Sequence, residues 1–126
     1  MSQLMTECDV AITAGGSTMY ELCACSIPMI TYSVADNQLA GVKGFAQLGI
    51  AKYCGDIRTD DVQIWSNLYE ALKVFQLNFE YRKEVALRMK ELVDGQGTRR
   101  IADEIHNLRV SGISGIECTD DYGMNQ

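Results

Sequence analysis

Asp9-Val10-Ala11-Ile12-Thr13-Ala14-Gly15-Gly16-Ser17-Thr18-Met19-Tyr20-Glu21-Leu22 is the stretch that decides the fold of this chain. It reads as a short apolar strand over Val10 to Thr13, a tight glycine turn, and a helix over Thr18 to Ala24. Four residues are too few, and these too apolar, for an amphipathic strand, so the strand is expected to be buried. A glycine turn lets backbone N–H groups approach a ligand closely, because no Cβ stands in the way. The first turn of a helix adds unpaired N–H donors and a partial positive charge. Together they predict an anion site, for which phosphate is the natural occupant.

The same alternation continues outward. Met29 to Ser33 is rich in β-formers, follows the single proline, Pro28, and reads as a second strand. Gln38 to Leu48 reads as helix, Gly49 ends it, and Ile50 to Cys54 reads as a third strand. Strand-helix-strand order of this kind predicts a parallel sheet with right-handed crossovers. From Asp60 the pattern turns helical. Val62, Trp65, Leu68, Leu72 and Phe75 recur at helical spacing, and so do Tyr81, Val85, Met89 and Leu92, closed by Gly95. Asn78 is the expected break between these two helices. A last helix carries Ile101, Ile105 and Leu108 on one face, with Thr98 near its start. Ser2 to Glu7 reads as a helical stub. Three strands are few for an open parallel sheet, which normally has five or six. The expectation is that the segment is part of something larger, with further strands N-terminal to it.

The chain has 126 residues, which favours one domain able to bury a core without staples. Apolar residues make up 47%, which predicts a globular fold. Formal net charge is −6 and no Lys/Arg-rich run is present, so a nucleic-acid partner is not expected. The five cysteines, Cys8, Cys23, Cys25, Cys54 and Cys118, match no disulfide framework. On a helix Cys23 and Cys25 stand about 200° apart, so they do not converge on a metal. With one histidine, His106, no metal site is expected, and buried reduced cysteines in a cytoplasmic protein are the expected state. No apolar run approaches the ~20 residues of a membrane span, and no signal peptide is visible. Val110 to Gln126 is Gly/Ser/Asp-rich and aperiodic, and is expected to be a loose tail. The organisation expected is a domain over residues 1–109 and a tail over 110–126.

Three clusters carry possible chemistry. Gly15, Gly16, Ser17 and Thr18 are either a phosphate cradle or a plain tight connection. They match neither the Walker spacing nor G-x-G-x-x-G, which argues against a Rossmann-type dinucleotide enzyme. Thr18-x-x-Glu21 has capping-box spacing, in which Glu21 bonds back to the helix start. The other reading gives Glu21 to the two hydroxyls of a ribose, since a carboxylate offers two acceptor oxygens. Asp36, Asn37 and Gln38 follow the second strand, at the carboxyl end of the sheet, where open α/β folds bind ligands. Asp and Asn are equally at home in turns and caps. Arg99 and Arg100 are either a phosphate clamp or, as is more usual near a helix start, solvated charges. Tyr32 either stacks on a base or packs.

Cys8 to Ala24, then Ile27-Pro28, Asp36-Asn37-Gln38, Leu48-Gly49 and Val93 to Ala102 together resemble the C-terminal half of the pseudaminic-acid-pathway UDP-sugar hydrolases and their spore-coat polysaccharide biosynthesis relatives. Both groups are similar to the glycosyltransferase B superfamily. The resemblance covers roughly residues 5 to 105 and is most specific in its first block. It implies an α/β Rossmann-like three-layer fold with a short parallel sheet and a helical C-terminal half, one lobe of a two-lobed cleft. It implies a UDP-sugar ligand, with Gly15, Gly16, Ser17 and Thr18 at the diphosphate, Glu21 at the ribose, and Asp36, Asn37 and Gln38 toward the sugar or phosphate. No cofactor and no divalent metal is implied. The catalytic histidine of the hydrolases belongs to the N-terminal lobe, and nothing in this chain matches it. No catalytic residue is therefore assigned here, and the chain by itself is not expected to turn over, since both lobes position the reactants. A non-catalytic interaction module, in which the exposed edge of the sheet meets a partner, is the alternative.

Overall fold

Backbone N–H and C=O groups inside a protein must find partners, and here three short runs pair with one another. The computed structural model of the chain describes residues 2–59 and 62–110. Strands β1 (Ala11–Ala14), β2 (Met29–Ser33) and β3 (Ala51–Asp56) form a parallel sheet in the order β1-β2-β3. Helix α1 (Ser2–Thr6) leads into β1, α2 (Thr18–Ala24) joins β1 to β2, and α3 (Leu39–Gln47) joins β2 to β3. Two longer helices follow, α4 (Val62–Leu77) and α5 (Phe79–Leu92). The α/β architecture with a short parallel sheet and a helical second half is therefore as the sequence predicts.

Register sets the two faces of the sheet. Ile12 is level with Ile30 and Ala14 with Tyr32, whereas Ala11, Met29 and Ala51 form a row on the opposite face. The two crossovers advance across the sheet in the same direction, so right-handed connection puts α2 and α3 on one face. There Tyr20 of α2 meets Phe45 of α3 edge-to-face at 5.1 Å. Helix α4 takes the other face, where Ile64, Trp65 and Leu68 share a groove with Ile12 and Tyr32.

The core runs through Met19, Leu22, Met29, Ile30, Val42, Ile50, Phe75, Val85 and Met89, all at most 3% exposed. Each such side chain contributes roughly 1.5–3 kcal/mol by leaving water. Thr31 and Ser33 are buried with them and stay satisfied. Thr31 Oγ1 donates to the Lys52 carbonyl, and Ser33 Oγ lies 2.8 Å from the Tyr53 hydroxyl.

Helix α5 starts where Asn78 accepts the Tyr81 N–H at 2.9 Å, so the expected break is an N-cap. Arg82 ties the turn by donating to the Phe75 and Gln76 carbonyls. Phe75 and Tyr81 stack at 5.6 Å across it.

Several boundaries differ from the sequence reading. The helix expected over Gln38 to Leu48 begins with a separate 3-10 turn, Asp36–Gln38. The third strand runs on to Asp56 through a bulge opposite β2, which leaves Ser33 facing Asp56. The first strand is half-buried rather than buried, with none of its residues fully covered. Ile12 is 49% exposed, because β1 is an edge strand and α4 packs over β2 and β3. Cys23 and Cys54 are buried thiols, as expected, but Cys8 is exposed. Burial pushes the Cys23 thiol up to about 11. Asp60, where the helical pattern was expected to begin, and Cys118 lie outside the described residues.

The described part of the chain divides into two compact units, the first ending at Asp94 and the second beginning at Gly95. In the second, α6 (Gly97–Val110) is the expected last helix, with Ile101, Ile105 and Leu108 in one stripe by spacing. His106 lies on this helix, as do Arg99 and Arg100. Of the tail expected over 110–126, only Val110 falls within the described residues, and it ends α6.

Candidate functional site

The carboxyl end of a parallel sheet gathers the loops that follow its strands, and three of them meet here. They are Gly15-Gly16-Ser17 after β1, Val34 to Gln38 after β2, and Ile57 to Thr59 after β3. The first turn is tied to the second strand by the Gly15 N–H, which donates to the Tyr32 carbonyl at 2.8 Å. A side chain at Gly15 would place its Cβ 2.7 Å from Val42 and 2.9 Å from Gln38. Glycine is therefore required at 15 by the close approach of α3, and the Gly15 amide is already spent on the sheet.

Gly16 is different. Its φ of 150° suits glycine, and among the described residues nothing stands within 4 Å of the place a Cβ would occupy. Among the described residues the N–H groups of Gly16, Ser17 and Thr18 find no acceptor, while Met19 and Tyr20 bond back to Gly16 and Ser17. Gly16 and Ser17 are exposed and Thr18 is half-buried. The open donors of the turn are thus three successive amides beginning at Gly16. Helix α2 has only seven residues, so these local N–H groups, rather than a long macrodipole, are what the turn offers an anion.

The capping box does not form. Ser17 occupies the N-cap position with helical φ and ψ and makes no side-chain cap bond, and Thr18 is the first helical residue. Glu21 is then one position too far along for its carboxylate to return to the N-cap amide. Glu21 is exposed, in the first turn of α2, and among the described residues no hydrogen bond or ion pair engages its carboxylate. It shares a helix face with Ser17, four residues back.

Gln38 stands against the glycine turn, and its Oε1 accepts the Val34 N–H at 2.8 Å. Asn37 is exposed, with no side-chain partner among the described residues. Asp36 is engaged. Its Oδ1 accepts from Arg58 Nη2 at 2.7 Å. Arg58 is itself held by Asp56, from Nε at 3.0 and 3.2 Å and from Nη2 at 2.6 Å. The Arg58 guanidinium lowers the Asp56 carboxyl to about 2. Sequence reasoning missed Arg58 and Asp56 because nothing local pairs position 36 with position 58.

The fold thus brings Gly15, Gly16 and Gln38 together, and adds Asp36 with Arg58 and Asp56 at their border. Among the described residues Glu21 makes no hydrogen bond or ion pair with either group. Beside them, on the α4 face, an open apolar groove of about 520 Å³ is lined by Ile12, Tyr32, Ile57, Trp65 and Leu68 among others. Tyr32 belongs to that groove.

Two curated proteins are similar to this chain. One is the "Spore coat polysaccharide biosynthesis protein SpsG" of Bacillus subtilis (strain 168), 29% identical over 110 residues. The match covers 86% of this chain and 31% of that protein. The other is the "Pseudaminic acid cytidylyltransferase and UDP-2,4-diacetamido-2,4,6-trideoxy-beta-L-altropyranose hydrolase" of Helicobacter pylori (strain ATCC 700392 / 26695), 43% identical over 51 residues. That match covers 40% of this chain and 10% of that protein. The chain has relatives among sugar-biosynthesis proteins. It spans less than a third of the length of either. No family model matches the chain, and no solved structure does. Among the described residues no helix is long and apolar enough to cross a membrane.

Proposed function

We propose that this chain is the UDP-sugar-binding lobe of a two-domain, glycosyltransferase-B-like enzyme, a UDP-sugar hydrolase or a glycosyltransferase, of surface-polysaccharide or nonulosonic-acid synthesis. The observation that carries the reading is the run of unpaired amides at Gly16, Ser17 and Thr18, beside Gln38 at the carboxyl end of the sheet. The similarity to a protein named as a UDP-sugar hydrolase supplies the ligand class. In this reading the three amides meet the diphosphate, Glu21 accepts from the ribose hydroxyls, and Asp36, Asn37 and Gln38 face the sugar or phosphate. The amides offset the charge of the leaving UDP, so no metal has to do so. The lobe spans residues 1–109, and the group that activates water or an acceptor comes from a second, N-terminal Rossmann-like lobe. The chain alone then binds weakly and does not turn over.

The test is a UDP titration of the isotope-labelled chain. Amide shifts at Gly16, Ser17, Thr18 and Glu21 are expected, and silence of these amides at millimolar UDP defeats the reading. Glu21→Gln sharpens it. With no cap bond to lose, the substitution leaves stability within a few tenths of a kcal/mol, while UDP binding weakens severalfold. Equal affinity would remove Glu21 from the ribose.

A second reading, a non-catalytic interaction module, is favoured by the apolar groove and the exposed Ile12 of the edge strand. Sedimentation separates the two, because an associated species indifferent to UDP belongs to the second.

A further inference from the structure

We propose that Arg58 is a positioning residue, which through Asp36 holds Asn37 and Gln38 against the glycine turn; its consequence for UDP rests on the reading above. The 3-10 turn Asp36–Gln38 has little else to fix it. It buries no residue, and Ala35 before it gives no side-chain cap. Its local ties are the Gln38 N–H to the Ala35 carbonyl at 3.1 Å, the Leu39 N–H to the Asp36 carbonyl, and the Val34 N–H to Gln38 Oε1 at 2.8 Å. Among the described residues the one side-chain bond from outside the loop is Arg58 Nη2 to Asp36 Oδ1, reaching across 22 residues.

Arg58 is suited to this because it is immobilised first. Asp56 takes its backbone N–H at 3.0 Å as well as Nε and Nη2, so one carboxylate fixes both the main chain and the guanidinium. A planar, forked donor bound in this way loses little further freedom when its free edge meets a second carboxylate. Thr59 Oγ1 closes the same turn on the Asp56 carbonyl at 2.7 Å. Asp56 in turn is fixed by the sheet, since the β3 bulge sets it opposite Ser33. The chain of support therefore runs from the sheet through Asp56 and Arg58 to Asp36, and from there to Gln38 beside Gly15.

The Asp36 carboxylate is 87% exposed, so the clasp acts by orienting the loop and adds little to global stability. The experiment compares amide spectra of the full chain, wild type, Arg58→Ala, Arg58→Lys, Asp36→Asn and the double variant Arg58→Ala with Asp36→Asn, free and titrated with UDP. In the free protein, Arg58→Ala and Asp36→Asn are expected to move the same amides, Val34, Asn37, Gln38 and Gly15, with the melting temperature unchanged in Asp36→Asn and slightly lowered in Arg58→Ala, which also releases Asp56. Arg58→Lys, which keeps the charge but not the fork, moves them less. The UDP dissociation constant rises about threefold in either single variant, and no further in the double variant. Shifts confined to residues beside each substitution overturn the proposal, as does wild-type UDP affinity in Arg58→Ala. If the wild type shows no UDP shifts while the free-protein shifts coincide, the nucleotide reading fails and the clasp stands.

Discussion

The two crossovers, β1–α2–β2 and β2–α3–β3, leave their helices in the same way and enter them differently. Both helices end in a Schellman motif. In the first, the Ser26 N–H bonds to Cys23 and the Ile27 N–H to Leu22; in the second, Gly49 bonds to Ala46 and Ile50 to Phe45. Both motifs are anchored by a buried isoleucine, Ile27 or Ile50. The left-handed residue is serine in one, at φ 58°, and glycine in the other, at φ 70°. The entries do not match. The first is Gly15-Gly16-Ser17, packed beneath α3 with three amides open. The second is a longer loop with a 3-10 turn, held by Gln38 and by Arg58. Helix exits are thus fixed by one shared backbone turn and its buried isoleucine, while helix entries at this edge of the sheet are shaped by distant contacts.

The largest effect expected from breaking this contrast is at Gly15. Gly15→Val forces β-branched bulk against Val42 and Gln38 and is expected to cost about 3 kcal/mol in denaturant unfolding, the upper part of the overpacking range. The two exits come next. Ser26→Gly relieves a left-handed L-residue and should raise stability by about 1 kcal/mol, whereas Gly49→Ala should lower it by a similar amount. Opposite signs in matched urea melts would confirm that the motifs are equivalent. Gly41 within α3 has open space where a Cβ would stand, so Gly41→Ala should gain about 0.5–1 kcal/mol by helix propensity. That result would separate a helical glycine from the glycine that packing requires at 15.

The smallest effect concerns Asp56. Its carboxyl is lowered to about 2 by Arg58, below the ordinary unfolded value. The folded state therefore binds its proton less readily than the unfolded state. The stabilisation is present above the unfolded pKa and is lost as pH falls toward 2. Asp56→Asn should reduce the fall in melting temperature between pH 5 and pH 2.5. An unchanged pH profile would show that the Arg58 clasp has no energetic weight.

Much of the frame was legible because each of its signals is local. Helix α2 and strand β2 have the bounds read from Thr18 to Ala24 and Met29 to Ser33, since Gly16, Pro28 and the run of β-formers act on their own neighbours. Asn78 was readable as a break because a cap bonds its own helix three residues on. The errors lie where a distant partner decides. Ile12 is exposed because β1 has a neighbour on one side only, which the apolarity of Val10 to Thr13 does not report. Thr18-x-x-Glu21 fits the capping spacing, yet the helix begins one residue earlier than that motif needs, with Ser17 at the N-cap.

The candidate site divides along the same line. By itself the sequence determined the strand–turn–helix at Gly15-Gly16-Ser17 and the polar loop Asp36-Asn37-Gln38, because conformational freedom and turn chemistry are properties of consecutive residues. Only the tertiary structure decided that Gly15 is a packing glycine, that the open amides begin at Gly16, that Gln38 lies beside the turn, and that Asp36 answers to Arg58. Those are contacts between residues far apart in sequence, and they exist only once the parallel sheet has brought the carboxyl ends of its strands together.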